Sequence, residues 1–209
     1  MFEHGDEAVF RRYREGGDPE REATVMRAAA EAGVPVPEVL EVRPDGLVME
    51  RVDGPTMLAA IEARPWRFAA YARQLGELHR RILDTPAPAG LEQRWGDGDR
   101  LLHMDMHPLN VIVGERGPVV IDWTNACAGD PAADVAYSQV VLATSDSDFP
   151  RWLEWFGRVI RRRFVAAYLG GVEIRPAPEH LALAADHRMN DRHLRERELA
   201  AVRRFRASL

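Results

Sequence analysis

Apolar positions along the chain fall into two patterns, short continuous runs near the start and in the middle, and a helical period elsewhere. Ala8-Val9-Phe10-Arg11-Arg12-Tyr13 reads as a short strand, ended by Gly16-Gly17. Asp18-Pro19-Glu20 marks a helix start, with a capping Asp, Pro at the first helical position and an acid in the first turn. That helix is expected to reach Ala32 and stop at Gly33. Val39-Leu40-Glu41-Val42 and Leu47-Val48-Met49-Glu50-Arg51-Val52, around Pro44-Asp45-Gly46, predict a hairpin. Helices are expected over about 56–63 and 65–83. In the second, Phe68, Tyr71, Ala72, Leu75, Leu78, His79 and Ile82 share a core-facing stripe, which makes His79 a packed histidine. Residues 84–100, rich in Pro and Gly, read as a surface loop. Val111-Ile112-Val113 and Pro118-Val119-Val120-Ile121 predict a second hairpin around the turn 114–117. Helices are then expected over 132–143, 149–169 and 178–207. The middle one carries Trp152, Trp155, Phe156, Val159, Ile160, Phe164 and Tyr168 on one broad face. Strands before residue 56 and around the second hairpin, with helices dominating later, give an α+β fold of two unequal lobes, 1–53 and 54–209.

Composition narrows the classes. With 209 residues, 46% hydrophobic and 29% charged, the chain can bury a real core. No apolar run approaches a membrane span, and residues 1–6 do not read as a signal peptide. A single cysteine, Cys127, excludes an internal disulfide framework and suits a reducing cytoplasm. The net charge of -5 is uneven, because residues 157–209 hold 12 Arg against 6 acids. Those arginines alternate with Asp186, Asp191, Glu196 and Glu198 at helical spacing, as on a solvated helix face, so no nucleic-acid partner is expected. All 28 basic side chains are arginine; the chain has no lysine.

The chemistry concentrates between Leu101 and Trp123. If residues 113 and 118 face each other, Asn110 lies opposite Ile121 and beside Asp122. A neutral oxygen and a carboxylate then meet at one end of the hairpin, the ligand type that Mg²⁺ favours. Asp105 enters the same end from the preceding loop. A rival reading takes His103, Asp105 and His107, at alternate positions, as zinc ligands of a hydrolase, although Pro108 turns the segment and no further ligand cluster completes the set. Upstream, Glu22 falls on the apolar face of the first helix and needs a partner, which Arg11 or Arg12 can supply.

The string His103, Asp105, Asn110 and Asp122, continued by Gly129-Asp130-Pro131-Ala132-Ala133-Asp134-Val135-Ala136, resembles the kinase-like phosphotransferases of the aminoglycoside phosphotransferase and choline kinase group. The resemblance implies a protein kinase-like fold and a cytoplasmic enzyme that moves the γ-phosphoryl group of ATP to a hydroxyl of a small molecule. Asp105 would orient or deprotonate the acceptor, and His103 would brace the loop. His107 would lie behind Asp105 or toward the acceptor, while Asn110 and Asp122 would hold Mg²⁺. Asp134 would support the loop backbone, and Asp130 would cap a helix. Arg11 stands where the family has a lysine, with Glu22 as its ion-pair mate. Met49-Glu50-Arg51-Val52-Asp53-Gly54 resembles the interlobe hinge, with Glu50 offering a carbonyl and Val52 an N–H to adenine. The Gly-rich hairpin that should precede residue 8 is not found, so the first lobe reads as truncated. Its absence, with the missing lysine, raises the alternative of a degenerate relative that binds nucleotide without transfer. The acidic first 156 residues suit a cationic acceptor; oligomeric state leaves no signal.

Overall fold

The computed structural model describes residues 2–3, 7–13, 17–145, 154–191 and 194–209. Its first layer is a four-stranded antiparallel sheet ordered β1-β2-β4-β3, built from β1 (Phe2–Glu3), β2 (Ala8–Arg12), β3 (Val39–Arg43) and β4 (Gly46–Glu50). The β3–β4 pair closes with Arg43 opposite Gly46 and a bulge between Val39 and Glu41. Helix α1 (Pro19–Glu31) packs on this sheet. Asp18 caps it, accepting the Arg21 N–H at 3.0 Å, and Pro19 sits at the first position, which together stabilise the start by about 1 kcal/mol. Its buried face is Glu22, Ala23, Val25, Met26 and Ala29, so the inward carboxylate anticipated from the periodicity is real.

The remaining layers are mainly helical. Thr56 caps α2 (Met57–Ala63), and α3 (Phe68–Asp84) follows a single 3₁₀ turn. Helix α3 lies along α5 (Glu154–Val172), and glycine lets them touch. A Cβ on Gly76 would sit 2.2 Å from the Tyr168 carbonyl oxygen, and one on Gly171 would sit 2.2 Å from that of Arg73. The expected start of α5 at 149 and its Trp152 lie outside the described residues. Farther along, Tyr168 is fully buried and Phe164 partly so, while Val159 is 39% exposed, which narrows the expected stripe.

Two expectations fail. Residues 84–100 are not only loop: β5 (Gln93–Trp95) and β6 (Arg100–Leu102) flank β9 (Cys127–Gly129) in a three-stranded sheet ordered β5-β9-β6. Strands of three residues are too short to show a period-two pattern. The single helix over 178–207 is two, α6 (Pro178–Met189) and α7 (Glu196–Arg206). Asn190 ends the first, its amide donating to the Asp186 carbonyl at 3.1 Å, and the Glu198 carboxylate opens the second by accepting the Arg195 N–H at 3.2 Å. The charge alternation of this region resolves into pairs such as Arg206–Asp186 at 3.0 Å.

The central hairpin has the anticipated register. Strands β7 (Val111–Gly114) and β8 (Gly117–Val120) pair with Val113 opposite Pro118 and a two-residue turn, and the Ile121 N–H meets the Asn110 carbonyl at 2.9 Å. Bonds from Val113 N to Pro55 O and from Val120 N to Pro35 O, each 2.8 Å, lash the hairpin to the segments flanking the first sheet.

Cys127 lies on β9, fully buried, and burial pushes its thiol up to about 12. Only the thiolate attacks electrophiles, so iodoacetamide at pH 8 should modify the native chain on the order of 1,000-fold more slowly than the unfolded one. Intact mass against time reads this directly, and a native rate equal to the unfolded rate refutes the burial.

Candidate active site

The loop after β6 is held from below. Helix α4 (Pro131–Thr144) begins with Asp130 as its cap, the Ala132 N–H donating at 2.8 Å, and Asp134 follows in the first turn. The fully buried Asp134 carboxylate accepts the backbone N–H groups of His103 (2.6 Å) and Met104 (3.1 Å) and stands 3.1 Å from His79 Nε2. His79 in turn meets the Tyr168 hydroxyl at 2.6 Å, so it is packed and bonded, away from any reacting group. Burial alone would raise the Asp134 pKa, but His79 and the loop donors outweigh it and hold the carboxyl below its usual value.

His103 is also fully buried. Burial depresses its pKa, leaving a neutral ring whose Nε2 lies 3.2 Å from the Ile121 carbonyl and which tilts against Trp123 at 4.7 Å. The pairing makes Nε2 the protonated nitrogen. His103 thereby ties the loop to the strand leading into Asp122. Of the two catalytic candidates, His103 is fully buried, whereas Asp105 keeps some exposure.

Asp105 is gripped from two sides. The Asn110 amide donates to its carbonyl at 2.8 Å and to Oδ2 at 3.0 Å, while His107 Nε2 lies 3.2 Å from Oδ1. The Leu109 N–H donates to His107 Nδ1 at 3.3 Å, which fixes Nε2 as the nitrogen bearing the proton. Burial pushes the Asp105 pKa up, and the His107 and Asn110 contacts more than reverse it, so the group is ionised at neutral pH. The zinc arrangement does not form. His103 faces Ile121 while His107 faces Asp105, and among the described residues no group of three His, Cys, Asp or Glu could hold a metal.

Asp122 sits at φ +64° and Met104 at φ +60°, left-handed conformations that residues other than glycine rarely adopt. Such strain clusters where function requires a fixed geometry. The Arg11 guanidinium spans the neighbourhood: Nη1 lies 3.2 Å from Glu22 Oε1, and Nη2 donates to Asp122 Oδ1 at 2.7 Å and Thr124 Oγ1 at 2.6 Å. Thr124 Oγ1 donates to the same Asp122 oxygen at 2.9 Å. Arg12 faces the other way and pairs with Asp45 at 3.1 Å, which settles which arginine meets Glu22. Burial raises the Glu22 pKa, opposed by Arg11, and burial likewise raises that of Asp122 until the Arg11 hydrogen bond brings it below normal.

Three members of this cluster escaped the sequence reading. Tyr13 donates its hydroxyl to Glu22 Oε2. Arg21 donates to the carbonyls of Ala126, at 2.6 Å, and Thr124, so adjacent residues of α1 grip the segment after Asp122. Thr124 is the third. Only their positions one or two residues from a flagged residue, or at the strand end, hinted at them.

Between the first sheet and the hairpin lies a cleft of about 660 Å³, whose lining includes the apolar Val9, Met49, Ile112 and Ile121 and the charged Arg11, Glu22 and Asp122. Glu50 and Val52 line it as well. The Glu50 carboxylate is engaged outside, by Arg116 and by the Glu38 N–H at 3.3 Å. Asn110 turns its amide nitrogen to Asp105, so its carbonyl oxygen and the Asp122 carboxylate are hard-oxygen donors of the chemistry Mg²⁺ takes.

Comparison with known proteins supplies the relatives. A model of the phosphotransferase enzyme family matches residues 89–183, and a RIO domain model matches residues 2–133. A Bacillus subtilis protein, YcbJ, described as uncharacterized, is 32% identical over 73 residues, which is 31% of this chain and 23% of that protein. Among solved structures, a thermostable mutant of aminoglycoside phosphotransferase APH(4)-Ia superposes with TM-score 0.62 at 14% identity, covering 99% of this chain and 87% of the other. A choline/ethanolamine kinase family protein from Mesorhizobium loti gives 0.56 at 17% identity, covering 97% and 83%. The amicoumacin kinase hAmiN, in complex with AMP-PNP, Ca²⁺ and Ami, gives 0.50 at 15% identity, covering 100% and 86%. The mixed α+β architecture is therefore that of the kinase-like fold.

Proposed function

We propose, from the premise that this chain belongs to the kinase-like phosphotransferase family, that it transfers the γ-phosphoryl group of ATP to a hydroxyl of a small molecule. One observation carries the reading: an ionised Asp105, held by Asn110, lies in the loop entering the end of the hairpin that leads out to Asp122, and Asp122 lines a cleft together with Arg11 and an apolar wall of Val9, Met49, Ile112 and Ile121. The apolar wall suits a purine, with Glu50 and Val52 as its backbone partners. Lobes 1–53 and 54–209 would close on the nucleotide. Mg²⁺, when bound by Asn110 and Asp122, would neutralise charge on the phosphates. Arg11, fixed by Glu22, faces the same phosphates. Asp105 orients the acceptor hydroxyl and takes its proton, while His107 and Asn110 hold the carboxylate in place. Such catalysis is mostly positioning and charge stabilisation.

The acceptor is proposed to be cationic, in keeping with the acidic first 156 residues and with neighbours named for choline, ethanolamine and aminoglycosides. Among the described residues no helix is long and apolar enough to cross a membrane, and a cytoplasmic site of action fits the lone buried cysteine. The grip of Arg11 on Asp122 favours a second reading, a nucleotide-binding module without transfer. Calorimetry with ATP and Mg²⁺ tests the shared premise. Native chain should bind in a Mg²⁺-dependent manner, and Asp122→Ala should weaken binding by more than about 100-fold. Equal affinities would refute the site. ADP release in an acceptor screen separates the two readings.

A further inference from the structure

We infer that Arg21 is a positioning residue: it sets the shape of the loop that carries Asp122, and through it the aim of the Asp122 carboxylate. The inference rests on the reading of Asp122 as a Mg²⁺ ligand at a nucleotide site and goes beyond it. Asp122 holds a left-handed backbone at φ +64°. Such a conformation persists only where the surroundings over-determine it. Within the loop, the Ala126 N–H closes a turn on the Trp123 carbonyl at 3.1 Å, and Thr124 Oγ1 donates to Asp122 Oδ1 at 2.9 Å. Helix α1 adds a clamp from outside, made by two adjacent residues. Glu22 Oε1 accepts the Trp123 N–H at 3.2 Å. Arg21 donates from Nη1 to the Ala126 carbonyl at 2.6 Å and from Nη2 to the Thr124 carbonyl.

The path from Arg21 to the carboxylate runs through Thr124. Its carbonyl is held by Arg21, and its hydroxyl bonds the same Asp122 oxygen that Arg11 holds at 2.7 Å. Fixing the Thr124 backbone therefore fixes the hydroxyl against which the carboxylate is set. The second carbonyl, of Ala126, leads directly into β9, which is anchored between β5 and β6. Asn125, between the two held residues, is exposed, so the loop has solvent on its outer side. A planar guanidinium meets two carbonyl oxygens at once, with one nitrogen on each; a lysine ammonium is a single point of charge. Arg21 does not itself line the cleft, so its effect on a bound cation must pass through this loop. Nothing in its sequence position, a charged residue in the first turns of a helix, signals the role.

Binding, without turnover, tests this. Calorimetry of AMP-PNP with Mg²⁺ and with EDTA gives the gain in affinity that the cation supplies. Arg21→Met should cut that gain by about 10- to 100-fold, the range for losing a group that orients a metal ligand, while the affinity in EDTA stays within about threefold. Arg21→Gln, whose shorter amide cannot span both carbonyls, carries the same expectation and serves if the first variant does not fold. In an Asp122→Ala background, Arg21→Met should cause no further loss, because the residue acts through Asp122. A native-sized gain in a folded Arg21 variant, an equal loss in EDTA, or a further loss on top of Asp122→Ala would each overturn the inference and leave the nucleotide site standing. A native chain whose AMP-PNP affinity does not respond to Mg²⁺ would sink the nucleotide reading itself, and this inference with it.

Discussion

Asp105→Asn should lower kcat by about 100- to 10,000-fold, the range typical for loss of a positioned general base, while nucleotide affinity stays within about threefold. The substitution keeps the shape of the side chain and an oxygen that can accept from His107, so the loop geometry held by Asp134 and His103 is preserved. It removes the negative charge that the His107 and Asn110 contacts keep ionised. In the proposed phosphoryl transfer, that charge would orient the acceptor hydroxyl and receive its proton. Coupled ADP-release kinetics with an acceptor found by screening, alongside calorimetry of nucleotide binding, separates the two quantities. A kcat within threefold of the native value would remove Asp105 from the chemistry.

Asp134→Asn should cost about 3–5 kcal/mol, the usual penalty for breaking a buried charged network from one side. Two loop N–H groups and the His79 ring converge on this carboxylate, and an amide presents a donor where the second oxygen stood. For a chain of this length the loss corresponds to a fall in Tm of roughly 6–20 °C. The pH dependence has a definite sign. A carboxyl whose folded pKa lies below its unfolded value stabilises the fold above the unfolded pKa. That stabilisation is lost as pH falls through the depressed folded value. The gap between native and variant should therefore be full at pH 7 and shrink below about pH 4. Urea unfolding at the two pH values measures it, and a gap independent of pH would show that the Asp134 charge contributes nothing.

What the chain spells out locally, it spelled out well. The β7–β8 register follows from two β-branched runs around a short turn, and it carries Asn110 to Ile121 as anticipated. The capping Asp and Pro at the start of α1 determine where that helix begins, and its periodicity turns Glu22 inward. Asp130 ahead of Pro131 marks the cap of α4, whereas the bracing of the loop by Asp134 is implied only by the family resemblance and spans 31 residues. The hairpin register, the start of α1 and the Asp130 cap depend on backbone hydrogen bonds and side chains within a few residues, where spacing alone dictates geometry.

Other features had no local signature. The β5-β9-β6 sheet joins three-residue strands through pairings such as Leu102 with Cys127, and strands so short carry no readable period. The close approach of α3 and α5 through Gly76 and Gly171 looks, in sequence, like two weak helical positions.

By itself, then, the sequence determined the first sheet's strands, helices α1 to α4, the hairpin register and the local order of the reactive groups, because each is fixed by neighbours along the backbone. The tertiary structure decided which charges meet. Arg11 reaches Asp122 across 111 residues, and Thr124, Tyr13 and Arg21 join the same cluster. A chain with 28 arginines and 33 acids permits many such pairings, and only packing of the first sheet and α1 against the hairpin selects this one.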